Sequence, residues 1–398
     1  MKITDVSTVL LAAEGKHLGM PDSRRTASLI TVSTDTGLTG LGESYAGLYV
    51  PQVVPHLVEL YKSLLVGEDP FAISKLWRKM SVRSMRWGLI GLSIQVMSGI
   101  DMALWDLKGK AMKVPVYELL GGLGQERLRL YASAYASPWP VKKTAEKVKH
   151  YMDRGFTGVK LASGFWGRDR APDTPVSQVV EEECAKLEAI RQSVGNGVDI
   201  CLDNHAANNP NAWSGDTAIQ VIGALDEFSL LWFEQPCDPR DVDAHAKLRA
   251  AVRTPIAGAE DVTTLQELNQ FFQKDALDVI QPDVAWMGMI PVLKAFGLAE
   301  EHGVRAALHV CGSTGVAMAA NYHIALADHR CFIAERSVEE NPLFTEVLVE
   351  PFDIRDGYLF PPTAPGLGVQ LKEETIRDRA YTPLEWRESQ QPGRAAQA

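Results

Sequence analysis

The chain has 398 residues, 46% hydrophobic and 23% charged, which suits a soluble globular protein of about two domains rather than one compact core. Its formal net charge of -10 disfavours nucleic acid and an anionic membrane as partners. It would also repel an anionic substrate at long range, so a site for one needs locally gathered positive charge, for example from a metal.

The five cysteines, Cys184, Cys201, Cys237, Cys311 and Cys331, are scattered and odd in number, and none forms a CxxC pair. That argues against a disulfide framework or a zinc knuckle and makes a reducing cytoplasm the expected location. The apolar run near the N-terminus is too short for a signal-peptide core, so no export signal is expected. The apolar stretch 87–100 lies between Arg86 and Asp101 and falls well short of the ~20 residues a membrane span needs.

In chain order, SLITVSTDTGLTGLGES reads as an alternating strand over 28–34, a Gly-rich turn and a second strand. Residues 52–112 are apolar at three- and four-residue spacing, which predicts helices. Strands followed by helices imply a small α+β domain. From Leu128 the grammar becomes strand, loop, helix, repeated. LRLYASA precedes TAEKVKHYMDRG, where Thr144 is placed at a helix start and Gly155 at its end. GFTGVKLA leads to a helix with Val180, Cys184, Leu187 and Ile190 on one face. VDICLDN, LLWFEQP, TPIAGAE, LDVIQPD, VRAALHV and RCFIAER follow, and Thr264 with Glu267 forms a capping-box pair. These eight apolar runs, separated by amphipathic helices, imply a buried parallel sheet closed on itself. The fold class is therefore α/β, a modified (β/α)8 TIM-type barrel with an N-terminal α+β capping domain. The expected divisions are cap and linking helices over 1–127, barrel over 128–351, and a C-terminal segment over 352–398 that packs back on the cap. An open doubly wound sheet is the alternative, but its GxGxxG signal is absent.

Most of the strands end in a polar or ionisable residue: Lys160, Asp203, Glu234, Glu260, Asp283, His309 and Glu335. Any one of these carboxylates alone is more simply a cap for the next helix. Seven in phase are better explained by one mouth, since all strand C-termini of a barrel open on the same face. Asp203, Glu234 and Glu260, hard oxygen donors from three consecutive strands, suit Mg²⁺, whereas zinc more usually recruits His or Cys. His309 beside Asp283 suits a general base whose tautomer the carboxylate fixes; a structural His–Asp hydrogen bond is the plainer alternative. Strand alternation puts His205 on the same face as Asp203, provided the strand continues through Asn204. The same alternation pairs Lys160 with Ala162, so one lysine is available there and not two.

Taken together, GLTGLGES, IDMALWDLKGKAMKVPVYELLGG and the ordered D…E…E…D…H…E series resemble the mandelate racemase subgroup of the enolase superfamily over nearly the whole chain. The resemblance implies that Asp203, Glu234 and Glu260 are magnesium ligands and that His309 and Asp283 are the base dyad. It implies that Glu335 is the acid on the substrate carboxylate and Lys160 the first lysine of a KxK motif. Ala162 departs from that motif, and His205 stands where acid-sugar dehydratases of the subgroup carry a DxH arrangement. Gly288-Met289 replaces a usual glycine pair, and DVAWMGM shows no lysine of the muconate-lactonising kind. The implied activity is Mg²⁺-dependent abstraction of the proton next to a carboxylate, then loss of water from an acid sugar, an aldonate or aldarate, giving a 2-keto-3-deoxy acid. The alternative is a racemase or epimerase of a 2-hydroxy or sugar acid, and a third reading is a catalytically idle metal-binding relative. The resemblance also implies a homo-oligomer, and capping loops 16–25 and 45–49 that set specificity, with Arg24 and Tyr49 as candidate substrate contacts.

Overall fold

The computed structural model describes residues 1–14, 24–134, 140–163, 174–206, 212–311, 314–349 and 352–383. Residues 16–23 of the expected capping loop and the tail from 384 lie outside the described residues. The chain opens with an antiparallel sheet in the order β1 (Ile3–Glu14), β2 (Arg24–Thr34), β3 (Thr39–Ser44). β1 was not legible as a strand, because a register shift between Ile3 and Asp5 puts buried Ile3 and Val6 three residues apart. A bulge of this kind breaks the period of two on which strand recognition depends.

Helices α1 (Val54–Leu65), α2 (Ile73–Ser84) and α3 (Leu92–Met112) follow. Every residue of α3 from Ser93 to Leu107 is buried, because it is wedged between the cap and the barrel. The glycines of GLTGLGES permit that wedge. A Cβ on Gly40 would lie 1.9 Å from the Ala103 carbonyl oxygen, and one on Gly42 1.9 Å from that of Gly99. Asp106 of α3 ties three parts together, accepting from the Leu41 amide of β3 at 2.8 Å, from Lys110, and from the Leu367 amide of the C-terminal segment at 2.8 Å. The short α4 (Val116–Leu119) completes the link.

The barrel has eight parallel strands: β4 (Leu128–Ser133), β5 (Gly158–Ala162), β6 (Asp199–Asp203), β7 (Trp232–Glu234), β8 (Ile256–Gly258), β9 (Val279–Ile280), β10 (Arg305–Leu308) and β11 (Cys331–Ser337). Each pairs with the next and β11 pairs with β4, so the sheet closes as the apolar runs imply. The described helices between strands are α5 (Val141–Met152), α6 (Val176–Val194), α7 (Gly215–Leu225), α8 (Val242–Ala251), α9 (Leu265–Gln273), α10 (Val284–Met287), α11 (Met289–Glu301) and α12 (Val316–Ala327). Among the described residues no helix is long and apolar enough to cross a membrane.

Three local expectations meet different outcomes. Thr264 caps α9 by accepting from the Glu267 amide, while Glu267 reaches back to the Thr263 amide and hydroxyl. Thr144 does not start its helix: α5 begins at Val141 after Pro140, and Thr144 is buried in the helix, where its side chain packs inward instead. Gly155, at φ 92°, does end it. Beyond the barrel, α13 (Pro342–Val347), the hairpin β12 (Ile354–Arg355) and β13 (Tyr358–Leu359), and α14 (Glu373–Asp378) lead back over the cap. There the Tyr381 amide donates to the Leu10 carbonyl of β1 at 2.9 Å.

Candidate active site

Inside the barrel, Tyr131, Cys201, Trp232, Ala257, Val279, Ala307 and Ile333 form a separate buried cluster, one side chain from each of seven strands. This plug is the floor of the site. Side chains two residues further on share its inward direction and stand one layer nearer the mouth. Counting from Cys201, Trp232, Val279, Ala307 and Ile333 gives Asp203, Glu234, Gln281, His309 and Glu335, all buried. Strand alternation thus builds most of the site. Glu260 arrives differently: β8 stops at Gly258, and Ala259, at φ 71°, turns the chain so that the residue after it enters the layer.

Asp203, Glu234 and Glu260 each offer a carboxylate oxygen, and these atoms all lie within 4.8 Å of one another. The Lys160 ammonium, buried on β5, sits 2.7 Å from Glu234 Oε1, 3.1 Å from Asp203 Oδ2 and 3.3 Å from Glu335 Oε1. Glu234 Oε2 accepts from the Trp232 indole at 2.9 Å and from the Gln281 amide at 2.7 Å. Burial disfavours the Glu234 anion, but Lys160 and hydrogen bonding with Glu260 and Gln281 outweigh it and hold the carboxyl at about 2. Asp203 and Glu260 are pushed well above the carboxylate range, first by burial and also by repulsion from Glu234. Among the described residues, none donates a hydrogen bond to the buried Glu260 Oε2. The donor set fits a hard divalent cation: three carboxylates crowd together, short of positive charge, with an oxygen left over.

Opposite the triad, His309 Nδ1 lies 2.8 Å from Asp283 Oδ2, so the geometry assigns the Nδ1 proton to that bond and leaves Nε2 facing the site. Nε2 lies 3.8 Å from Glu260 Oε2 and 3.9 Å from Glu335 Oε2. Burial works against an imidazolium here, but Glu260, Asp283 and Glu335 outweigh it and raise the ring to about 10. Glu335 Oε2 also accepts the Val310 amide at 3.2 Å, tying β11 to the segment after His309.

His205 reaches the mouth by a route other than the one strand alternation gives. β6 ends at Asp203, so the strand does not continue through Asn204, and the inference from alternation fails. Instead His205 sits in the left-handed region, φ 46°, where its amide donates to Asp203 Oδ1 at 2.8 Å and its Nδ1 lies 3.2 Å from the same oxygen. Burial first, then the charges of Lys160 and His309, push the ring down to about 3.

The two cap residues lie apart from this cluster to different degrees. Tyr49 is half exposed at the end of a turn whose Tyr45 ring sits 4.6 Å from that of Trp286, in the helix that follows Asp283. Tyr45 also faces Cys311, two residues past His309, closely enough for the two groups to influence each other's ionisation. Arg24 donates to the Thr382 carbonyl at 3.0 Å and lies over the Tyr381 ring, which binds the cap to the C-terminal segment. The neutral members of the site, Trp232, Gln281 and Asn321, went unnoticed in the sequence. Only ionisable strand ends carried a signal there, although QPD places Gln281 two residues before a charged one.

Comparison with known proteins gives the same grouping. Residues 143–375 match the enolase C-terminal domain-like family, and residues 14–121 match the mandelate racemase / muconate lactonizing enzyme N-terminal domain. The chain is 30% identical over 390 residues to arabinonate dehydratase of Saccharolobus solfataricus, covering 95% of this chain and 98% of that one. It is 31% identical over 398 residues to D-galactarolactone cycloisomerase of Agrobacterium fabrum, again covering 95% and 98%. The crystal structure of 3,6-anhydro-D-galactonate cycloisomerase from Zobellia galactanivorans superposes with a TM-score of 0.83 at 26% identity, over 96% of this chain and all of that one. On both domain matches and on these relatives, the chain belongs to the enolase superfamily, in its mandelate racemase subgroup.

Proposed function

We propose that the protein is a magnesium-dependent acid-sugar dehydratase, acting on an aldonate or aldarate. The observation that carries this reading is that, among the described residues, one His–Asp base pair faces the triad. His309 with Asp283 faces the triad, while Ala162 stands where a second lysine would serve the other side of the substrate, and Lys160 is engaged by three carboxylates. A single base suits elimination better than inversion at carbon, which needs a proton acceptor and a proton donor on opposite faces. Relatives named as acid-sugar dehydratases support the substrate class.

Asp203, Glu234 and Glu260 would hold Mg²⁺, which supplies positive charge against the negative charge that builds on the substrate carboxylate. Lys160 donates toward the other side of that charge, with Glu335 beside it at 3.3 Å. With Mg²⁺ balancing Glu260, the charge that raises the ring most, His309 would be neutral; its Nε2 takes the proton next to the carboxylate, and Asp283 keeps the ring oriented while it gains charge. The electron pair then expels the β-hydroxyl. His205 is held neutral by burial and by Lys160, so the proton that leaves with the hydroxyl as water comes from His309. The resulting enol rearranges to a 2-keto-3-deoxy acid.

The test is a panel of acid sugars with Mg²⁺, scored for semicarbazide-reactive keto acid and for deuterium uptake from D₂O. Keto acid from at least one sugar is expected. Deuterium uptake with no keto acid would instead point to an epimerase, the second reading, which the cycloisomerase relative supports.

A further inference from the structure

The orientation of the base dyad depends on a helix behind it. Both oxygens of Asp283 are fully occupied. Oδ2 accepts from His309 Nδ1 at 2.8 Å and from the Cys311 amide at 3.1 Å. Oδ1 accepts from the Ala285 amide at 2.7 Å and from Asn321 Nδ2 at 2.8 Å. Two of these donors belong to the backbone near the dyad, and one is the base itself. Among the described residues, Asn321 is the one side chain that reaches Asp283 from elsewhere in the fold. It is fully buried on α12, and its own Oδ1 accepts the Val284 amide at 2.9 Å. A carboxamide presents a donor and an acceptor at a fixed separation, so it grips the carboxylate of residue 283 and the amide of residue 284 at once.

The helix that carries Asn321 is itself held from the cap. Glu43, buried on β3, accepts from the Thr314 amide at 3.0 Å, the Thr314 hydroxyl at 2.9 Å and the Ala317 amide at 3.0 Å. The Ala317 amide belongs to the first turn of α12 and has no partner within the helix, and Thr314 stands just before the helix begins at Val316. Ala317 is one turn before Asn321 on the same face, and its carbonyl accepts from Asn321 Nδ2 at 3.2 Å. A continuous chain of hydrogen bonds thus runs from a capping-domain carboxylate through α12 to the base.

We propose that Asn321 is a positioning residue for the proton-abstracting pair, clamping Asp283 from α12, and that Glu43 sets the seating of α12 from the cap. The proposal rests on reading His309 and Asp283 as the base. Without Asn321, Asp283 keeps the Ala285 and Cys311 amides but loses its one side-chain anchor from α12, so the carboxylate and the imidazole it orients are held less firmly. Groups that bind the substrate carboxylate are untouched, so turnover falls while KM holds.

The experiment uses the full-length protein with Mg²⁺ and compares wild type with N321D, N321L and E43Q. N321D keeps the volume and the acceptor for Val284 but replaces the donor facing Asp283 with an oxygen. N321L removes both functions. The first readout is the Nδ1 proton resonance of His309 in imidazole-labelled protein, assigned by its loss in H309N. In both Asn321 variants it is expected to shift or broaden, and in E43Q to shift, though that residue lies in another domain. The second readout is α-proton exchange with the best acid sugar, where kcat is expected to fall roughly tenfold to a hundredfold, as for outer-shell partners of other sites, with KM unchanged. A wild-type resonance and a wild-type kcat in a folded N321D would overturn the proposal, and N321D decides the matter even where N321L does not fold. Absence of exchange in the wild type with every sugar would remove the dehydratase reading, and the resonance comparison would still test the clamp.

Discussion

The Lys160 ammonium lies 2.7 Å from Glu234 Oε1, with both side chains buried, and this is the shortest ion pair at the barrel mouth. Among the described residues it is the one positive side chain set directly among Asp203, Glu234 and Glu335. Replacing it with methionine leaves buried charge uncompensated, at a cost on the order of 3–5 kcal/mol. Urea unfolding with EDTA should show K160M destabilised to that extent. Saturating Mg²⁺ should stabilise wild type and variant alike, by roughly 2.7 kcal/mol at a hundred times Kd. An unchanged midpoint on adding Mg²⁺ would speak against a cation among the three carboxylates.

Glu234 depends on two neutral donors, the Trp232 indole and the Gln281 amide. W232F and Q281L should each weaken Mg²⁺ binding, by roughly tenfold to a hundredfold, the range seen for groups that orient metal ligands. Titration calorimetry measures this without any substrate. Wild-type affinity in both variants would mean that the triad is held by its strands alone.

Asp101 of α3 accepts the Met289 amide at 2.9 Å, and burial pushes its carboxyl up to about 7 from an ordinary 3.8. A carboxyl whose folded pKa is raised favours the fold below the lower value and loses that contribution as pH climbs through the higher one. Between about pH 4 and pH 7 the folded chain carries one proton more than the unfolded chain, so wild type should lose about 1.4 kcal/mol per pH unit relative to D101N. The check is the difference in urea midpoints at pH 5, 6 and 7. Parallel curves for the two proteins would show that Asp101 ionises normally.

The two histidines at the mouth should respond unequally to substitution. H309N should lower α-proton exchange by roughly a hundredfold to ten-thousandfold, the usual contribution of a general base. H205N should retain most exchange and dehydration, because His205 is held neutral and supplies no proton. Rapid quench with keto-acid detection separates the two. If H205N exchanges the α-proton normally yet makes no keto acid, His205 is the acid, and the assignment of both proton transfers to His309 is wrong.

The barrel was legible because strands buried on both faces read as unbroken apolar runs, and the charged mouth because one ionisable side chain closes most of those runs. What escaped were departures from periodicity. The bulge in β1 hid a strand, and the left-handed Ala259 delivers Glu260 one residue later than alternation allows. His205 was assigned to the mouth by extending β6 too far, and a left-handed turn brings it there instead. Asn321 and Glu43 carried no local signal, because their partners are set by packing between elements distant in sequence.

Ring closure between β4 and β11 has a kinetic consequence. Glu335 on the final strand and Lys160 near the first meet across that seam at 3.3 Å. No partial barrel released early from synthesis contains both, so this pair comes into being only when the last strand docks. Contacts that span so much chain form slowly. In a refolding experiment, the Lys160–Glu335 contact should therefore form in the slowest phase and trail the gain of helix.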